Sequence, residues 1–205
     1  MAVWLVQVTV AWSQLEQALG HALAHILNSQ PRLGIEVYLS LEHNSAQLKV
    51  VRDTAALVMD EADFGIFEAI LVLVRRAGRF RNIVAHGTWG VAEKIPNGLL
   101  LFQGKEASKI LAPLFAAGMS PSQTFRRNDP DAKVPEKLYE IMEDTLVYFD
   151  SEFIETRNLI TSIIVFLSEF WEMRRSSGVE RETLRRKLCD EPAIQEALCR
   201  QSKDR

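Results

Sequence analysis

Between Arg79 and Trp89 the chain reads Arg-Phe-Arg-Asn-Ile-Val-Ala-His-Gly-Thr-Trp. Arg81 and Asn82 are adjacent, and His86 follows Asn82 by one helical turn, so Asn82 and His86 share a face of any helix that carries them. Arg81 brings a permanent cation, Asn82 an amide that both donates and accepts, and His86 a side-chain type that titrates near neutrality. Such a group suits a phosphodiester. A histidine can take the proton from a ribose 2′-hydroxyl or give one to the leaving oxygen. An arginine neutralises charge as it builds on the phosphate. The amide can hold the phosphate or orient the imidazole. The chemistry is RNA cleavage that needs no metal or other cofactor. One histidine supplies a single acid or base, and a second copy across a two-fold axis would supply the other. The same residue types also gather at helix C-termini through the macrodipole alone, and Arg75 and Arg79 could simply pair with Glu68 or with neighbouring helices. Spacing leaves both readings open.

A well-patterned helix must position these residues. Asp60, Glu61 and Asp63 put negative charge at its start, where the macrodipole favours it, and the pattern predicts a helix from about Glu61 to Ala85 with Gly87 as its stop. At about 100° per residue, Glu61, Glu68, Arg75, Arg79, Asn82 and His86 fall in one stripe. Ile66, Ala69, Ile70, Leu73, Ala77, Phe80 and Val84 fall on the opposite, core face. Arg81 lies at the edge of that face and reaches His86 if the last turn tightens. Arg75 and Arg79 are weaker candidates for guiding substrate. Gly78 marks a bend or a close helix contact.

The rest of the chain supplies a scaffold. Trp4, Leu5, Val8, Trp12, Leu15, Leu19, Leu23 and Ile26 recur at helical spacing and predict a first helix from about Val3 to Asn28, ended at Gln30-Pro31. A second runs from Asn44, a candidate cap, to Met59. Residues 32–43 read equally as a helical turn or an extended piece. After Gly87 the period changes. Thr88–Ala92 and Leu99–Gln103 flank Pro96-Asn97-Gly98, a hairpin signal. Residues 104–135, with four of the chain's seven prolines, read as a long irregular excursion. Thr145–Phe149 reads as a third short strand. Asp150 or Ser151 caps a long helix to about Arg174, and two short charged helices, about 179–189 and 192–201, follow. The expected fold class is mainly α: an up-and-down bundle of about four long helices with a small β-hairpin inserted after the third.

Bulk properties narrow the function classes. With 205 residues, 47% of them apolar, the chain suits one domain or a domain with an insertion. A net charge of −3 argues against a surface that coats nucleic acid, while the arginines at 75–81 allow a local basic pocket. Cys189 and Cys199 make neither a zinc set nor a disulfide framework, which suggests a reducing, cytoplasmic setting. The apolar start, Ala2 to Trp12, has no Lys or Arg before it and is interrupted by Gln7, unlike a signal peptide. Leu159–Trp171 is too short and too polar to span a bilayer, so no membrane is expected.

Arg81-Asn82-Ile83-Val84-Ala85-His86, late in the third long helix of a helical domain with another long helix following, resembles the signature of the HEPN superfamily. That signature is Arg, a polar residue, three further residues, then His. The resemblance in pattern covers about Val3 to Arg174. It implies a HEPN-like domain over 1–175, with the hairpin and loop at about 87–149 inserted, and 176–205 as charged C-terminal helices. It further implies a homodimer with both motifs facing one cleft. The implied activity is that of a metal-independent endoribonuclease in a toxin–antitoxin or other defence system, with RNA as substrate and an antitoxin protein as partner. His86 would be the acid or base, Arg81 the phosphate stabiliser and Asn82 the orienter. Some members of the superfamily have lost activity and serve as modules that bind a partner protein or a nucleotide.

Other candidates have plainer readings. His21 and His25 are four apart, as helix metal ligands can be, but they lie with Gln14, Gln17 and Asn28 on a solvated side. His43 reads as a loop residue. Trp89 could stack on a base or fill the root of the hairpin. Ser13, Ser151 and Ser162 lack a nucleophile-elbow context. Arg174, Arg175, Arg181, Arg185, Arg186 and Lys187 form a basic zone diluted by Glu and Asp, which reads as a solvated helix face.

Overall fold

Asn28 takes a left-handed conformation, φ 48°, which asparagine tolerates better than most residues. It ends helix α1 (Ala2–Ile26) and turns the chain into α2 (Pro31–Leu39), whose proline sits in the first turn, where no backbone donor is missed. The ambiguous 32–43 stretch is therefore largely helical. The structure, a computed structural model, describes residues 2–90, 98–102 and 146–201. Helix α3 (Asn44–Val58) follows, with His43 rather than Asn44 at its N-cap. Helix α4 (Glu61–His86) is capped by Asp60, whose carboxylate accepts the Asp63 N–H at 2.8 Å.

Three short strands, β1 (Thr88–Gly90), β2 (Gly98–Phe102) and β3 (Leu146–Phe149), form an antiparallel sheet in that order. Trp89 pairs with Leu101, and Leu100 with Val147. The hairpin and third strand predicted from the period change are thus present. Pro96, Asn97 and the 104–135 excursion lie outside the described residues. The long helix α5 (Asp150–Arg175) begins one residue earlier than a cap at Asp150 would allow. Its N-cap is Phe149, whose N–H donates to Glu152 at 2.8 Å. Helices α6 (Gly178–Asp190) and α7 (Pro192–Gln201) complete a mainly α fold with a small sheet.

α4 is the central helix. Phe67, Leu71 and Val74 are buried together with the expected Ile66, Ala69, Ile70, Leu73 and Ala77. A helix apolar nearly all round belongs inside, and α1, α3, α5 and α7 surround it. α4 opens to solvent most in its C-terminal half, with Arg75, Arg76, Arg79, Asn82 and His86 exposed. The polar stripe that helical rotation predicts is present: Glu61, Arg75, Arg79, Asn82 and His86 are exposed and Glu68 is half-buried.

The basic zone near the C-terminus divides: Arg175, Arg186 and Lys187 are exposed, as a solvated face would have them, and the other three arginines turn inward. Arg174, Arg181 and Arg185 converge on Asp63, donating to its carboxylate at 3.2, 2.7 and 2.7 Å. Asp63 is completely buried. Its backbone N–H and then these arginines hold the Asp60 carboxyl below its ordinary range.

His25 also has a partner. Its ring stacks on Trp171 of α5, centroids 5.0 Å apart. Burial, then the charge of Arg175 and of His21, lowers its pKa from 6.5. The unfolded chain therefore binds this proton more readily than the folded one. Stability should fall as pH drops through 6.5 and level off below the folded pKa. Urea unfolding midpoints between about pH 8 and 5.5 should show this slope, and His25→Phe, which keeps an aromatic on Trp171, should flatten it. An unchanged slope in His25→Phe would assign the effect elsewhere.

Candidate functional site at the end of the central helix

The Arg-Asn-x-x-x-His segment occupies the last two turns of α4, and its backbone follows the helix to His86. Arg81 is half-buried at the core edge, as helical geometry predicts. Its guanidinium lies over the Trp12 ring at 5.5 Å and donates to Asn82 Oδ1 at 3.2 Å. Trp12 is itself buried, and its indole N–H donates to Glu16 at 2.7 Å. Gly78 is where that ring lies against α4: a Cβ there would stand 3.1 Å from Trp12 Cη2, so the glycine serves a close helix contact. The structure thus brings Arg81 and Asn82 together and rests Arg81 on an aromatic platform from α1. His86 is exposed, and among the described residues it makes no hydrogen bond to either. Asn82 Oδ1 accepts from Arg81, and among the described residues no hydrogen bond joins Asn82 to His86.

Gly87 ends the helix for a different reason from the one its type suggests. Its φ is −75°, not left-handed. What it provides is space: a Cβ would fall 2.3 Å from Leu101 Cδ1 and 2.6 Å from the Ile83 carbonyl oxygen. The sheet can therefore press directly against the end of α4. Trp89 fixes it there. Its indole N–H donates to the Val84 carbonyl at 3.1 Å, and its ring meets Tyr148 and Phe153 at 5.7 and 5.6 Å. Phe80 packs on the same two rings. Trp89 fills the root of the sheet, and these partners engage it.

The weaker substrate candidates divide. Arg75 donates to Glu68 at 2.9 Å, and Glu68 also accepts from Arg52 at 2.7 Å, so Arg75 is held in an ion-pair chain. Arg79 is exposed and has no ion pair among the described residues. It lines a groove between α4 and α7 with Arg75, Arg76, Glu196 and Arg200. Sequence reasoning does not single out Arg76 or Arg200 as site residues. Arg76 lies in the arginine-rich stretch at 75–81, but Arg200 carries no local signal because it arrives through the packing of α7 on α4.

The alternative chemistries find less. Both cysteines are free of disulfides, and burial pushes the Cys189 thiol up, away from a reactive thiolate. Among the described residues no three His, Cys, Asp or Glu side chains converge as metal ligands, and no helix is long and apolar enough to cross a membrane. No family model matches the chain, and neither a curated protein nor a solved structure does.

Proposed function

We propose that this protein is a metal-independent endoribonuclease of HEPN type, acting as a homodimer in the cytoplasm, as a toxin or defence nuclease restrained by an antitoxin protein. The observation that carries the reading is the set of residues at the open end of α4: a solvent-accessible His86 beside an Arg81–Asn82 hydrogen-bonded pair. In the reaction, the ribose 2′-oxygen attacks the adjacent phosphorus and its proton passes to a histidine. The bond from phosphorus to the 5′-oxygen breaks, and that oxygen takes a proton from a second histidine. The products are a 2′,3′-cyclic phosphate and a 5′-hydroxyl. His86 of one copy serves as base and His86 of the other as acid. Arg81 meets the charge on the non-bridging oxygens, with Asn82 holding its guanidinium.

A second reading is a catalytically silent module that binds a partner protein or a nucleotide. It is favoured by the placement of Arg81 on Trp12 and Asn82, with no bond to His86. Incubation of the protein with mixed RNA in EDTA separates the two. Cleavage to 2′,3′-cyclic phosphate ends is expected. Intact RNA in EDTA, or cleavage restored only by a divalent metal, would leave the binding module as the better description.

A further inference from the structure

The groove between α4 and α7 concentrates positive charge on a chain whose net charge is −3. Arg75, Arg76, Arg79 and Arg200 line it with a single carboxylate, Glu196. Glu196 is already engaged, 2.6 Å from Arg200 and 3.5 Å from Arg76. Arg79 has no ion pair among the described residues, and the side chains of Arg76 and Arg200 are more than half exposed. Arg75 is paired with Glu68 and Arg76 and Arg200 share Glu196, so the groove carries more guanidinium than carboxylate charge, with Arg79 unneutralised among the described residues. That arrangement persists against mutual repulsion and suits an anion shared among them.

Position and size identify the anion. At 1.5 Å per residue, Arg79 lies about 10 Å before His86 along α4, and by helical rotation the two are within about 20° of the same face. At the ~3.4 Å axial rise per nucleotide of a stacked strand, this span is about three nucleotides. The groove holds about 160 Å³. Small-molecule sites run to ~300–1,000 Å³, so the groove suits a stretch of backbone passing across it rather than an enclosed ligand. We infer that the α4–α7 groove is a phosphate-binding subsite that carries the single-stranded RNA flanking the cleaved bond, with Arg79, Arg76 and Arg200 contacting its phosphodiesters. The occupant named here rests on the ribonuclease reading, but binding at the groove is measurable without it.

The probe is a fluorescein-labelled mixed-sequence DNA oligonucleotide, which has no 2′-hydroxyl and so cannot be cut by this chemistry. Anisotropy titrations between 50 and 200 mM NaCl give affinity and its salt dependence. Arg79→Ala combined with Arg200→Ala should weaken binding about tenfold or more at low salt and reduce the log–log salt slope by about 0.7 for each phosphate no longer neutralised. Glu196→Gln should act in the opposite sense and tighten binding, because it removes the one carboxylate. Opposite signs at neighbouring exposed positions are not produced by a loss of fold. Arg32→Ala, an exposed arginine on α2 that does not line the groove, should change the slope less. Absence of probe binding by the parent protein overturns the inference, and so does an unchanged slope in the double variant. If RNA is cut in EDTA while the groove variants bind normally, the inference fails and the nuclease reading stands. If the groove binds as described but RNA is not cut, the nuclease reading fails and the subsite stands.

Discussion

Asp63→Ala should lower the stability of the protein by about 3 kcal/mol, the low end of the cost of removing one partner from a buried ion cluster. The carboxylate is fully buried, and three guanidinium groups point at it. Without it they would face one another, and the Nε atoms of Arg181 and Arg185 already lack a hydrogen-bond partner where solvent does not reach. The arginine side chains are 25 to 34% exposed, so water relieves part of the repulsion, which is why the low end applies. For a chain of this size that corresponds to a melting temperature lower by about 6–12 °C. The loss should begin at α6. Among its thirteen residues only Leu188 is fully buried, with Leu184 and Cys189 partly buried against the core, so the ion cluster supplies a larger share of its attachment than in the long helices. Amide exchange in α6 should therefore accelerate more than in α4. Arg181→Ala, which leaves two arginines on Asp63, should cost about 1 kcal/mol. A melting temperature within a degree of wild type for Asp63→Ala would show that the cluster contributes nothing to the fold.

This cluster also shows which kinds of information a sequence carries openly. Asp63 is legible as a first-turn acidic residue, because the macrodipole argument needs only its place on the helix. Its three partners stand 111 to 122 residues away, and no local pattern links them. The long helices are legible for the opposite reason: α1, α4 and α5 repeat their apolar spacing over 25 or 26 residues. α2 has only nine residues, with Gly34 at its centre and β-branched Ile35 and Val37 beside it, so its own propensity decides nothing. Tertiary packing decides it. Gly34 lies so close to Ala24 that a Cβ would come within 2.5 Å of it, and only a helix backed onto α1 uses that space. At the candidate site, the pairing of Arg81 with Asn82 is readable because both stand on one helix. The Trp12 platform under Arg81 is not, since it comes from α1. Gly87 is legible as a stop, but its role in admitting Leu101 depends on a strand that sequence spacing cannot position.

His86→Ala should remove RNA cleavage by a factor of about 10² to 10⁴, the usual contribution of a general acid or base, and leave thermal melting unchanged. The imidazole is exposed and has no hydrogen-bond partner among the described residues, so its loss leaves nothing unpaired. Arg81→Ala should differ from it in a measurable way. The guanidinium covers Trp12 and bonds Asn82, so its removal should also cost about 0.5–1 kcal/mol from the cation–π interaction. That is a melting temperature about 1–4 °C lower. Arg81→Lys keeps the charge and part of the packing on Trp12 but loses the planar fork, so it should recover stability more fully than activity. Melting each variant beside wild type and assaying each on RNA in EDTA gives two independent readouts. A loss of cleavage without a loss of stability in His86→Ala, and of both in Arg81→Ala, is the pattern that a nuclease with an arginine seated on Trp12 must give. Full activity in His86→Ala would end the mechanism. An inactive parent combined with a drop of more than about 10 °C in Arg81→Ala, beyond what one cation–π interaction supplies, would make Arg81 a scaffold residue and the end of α4 a binding surface.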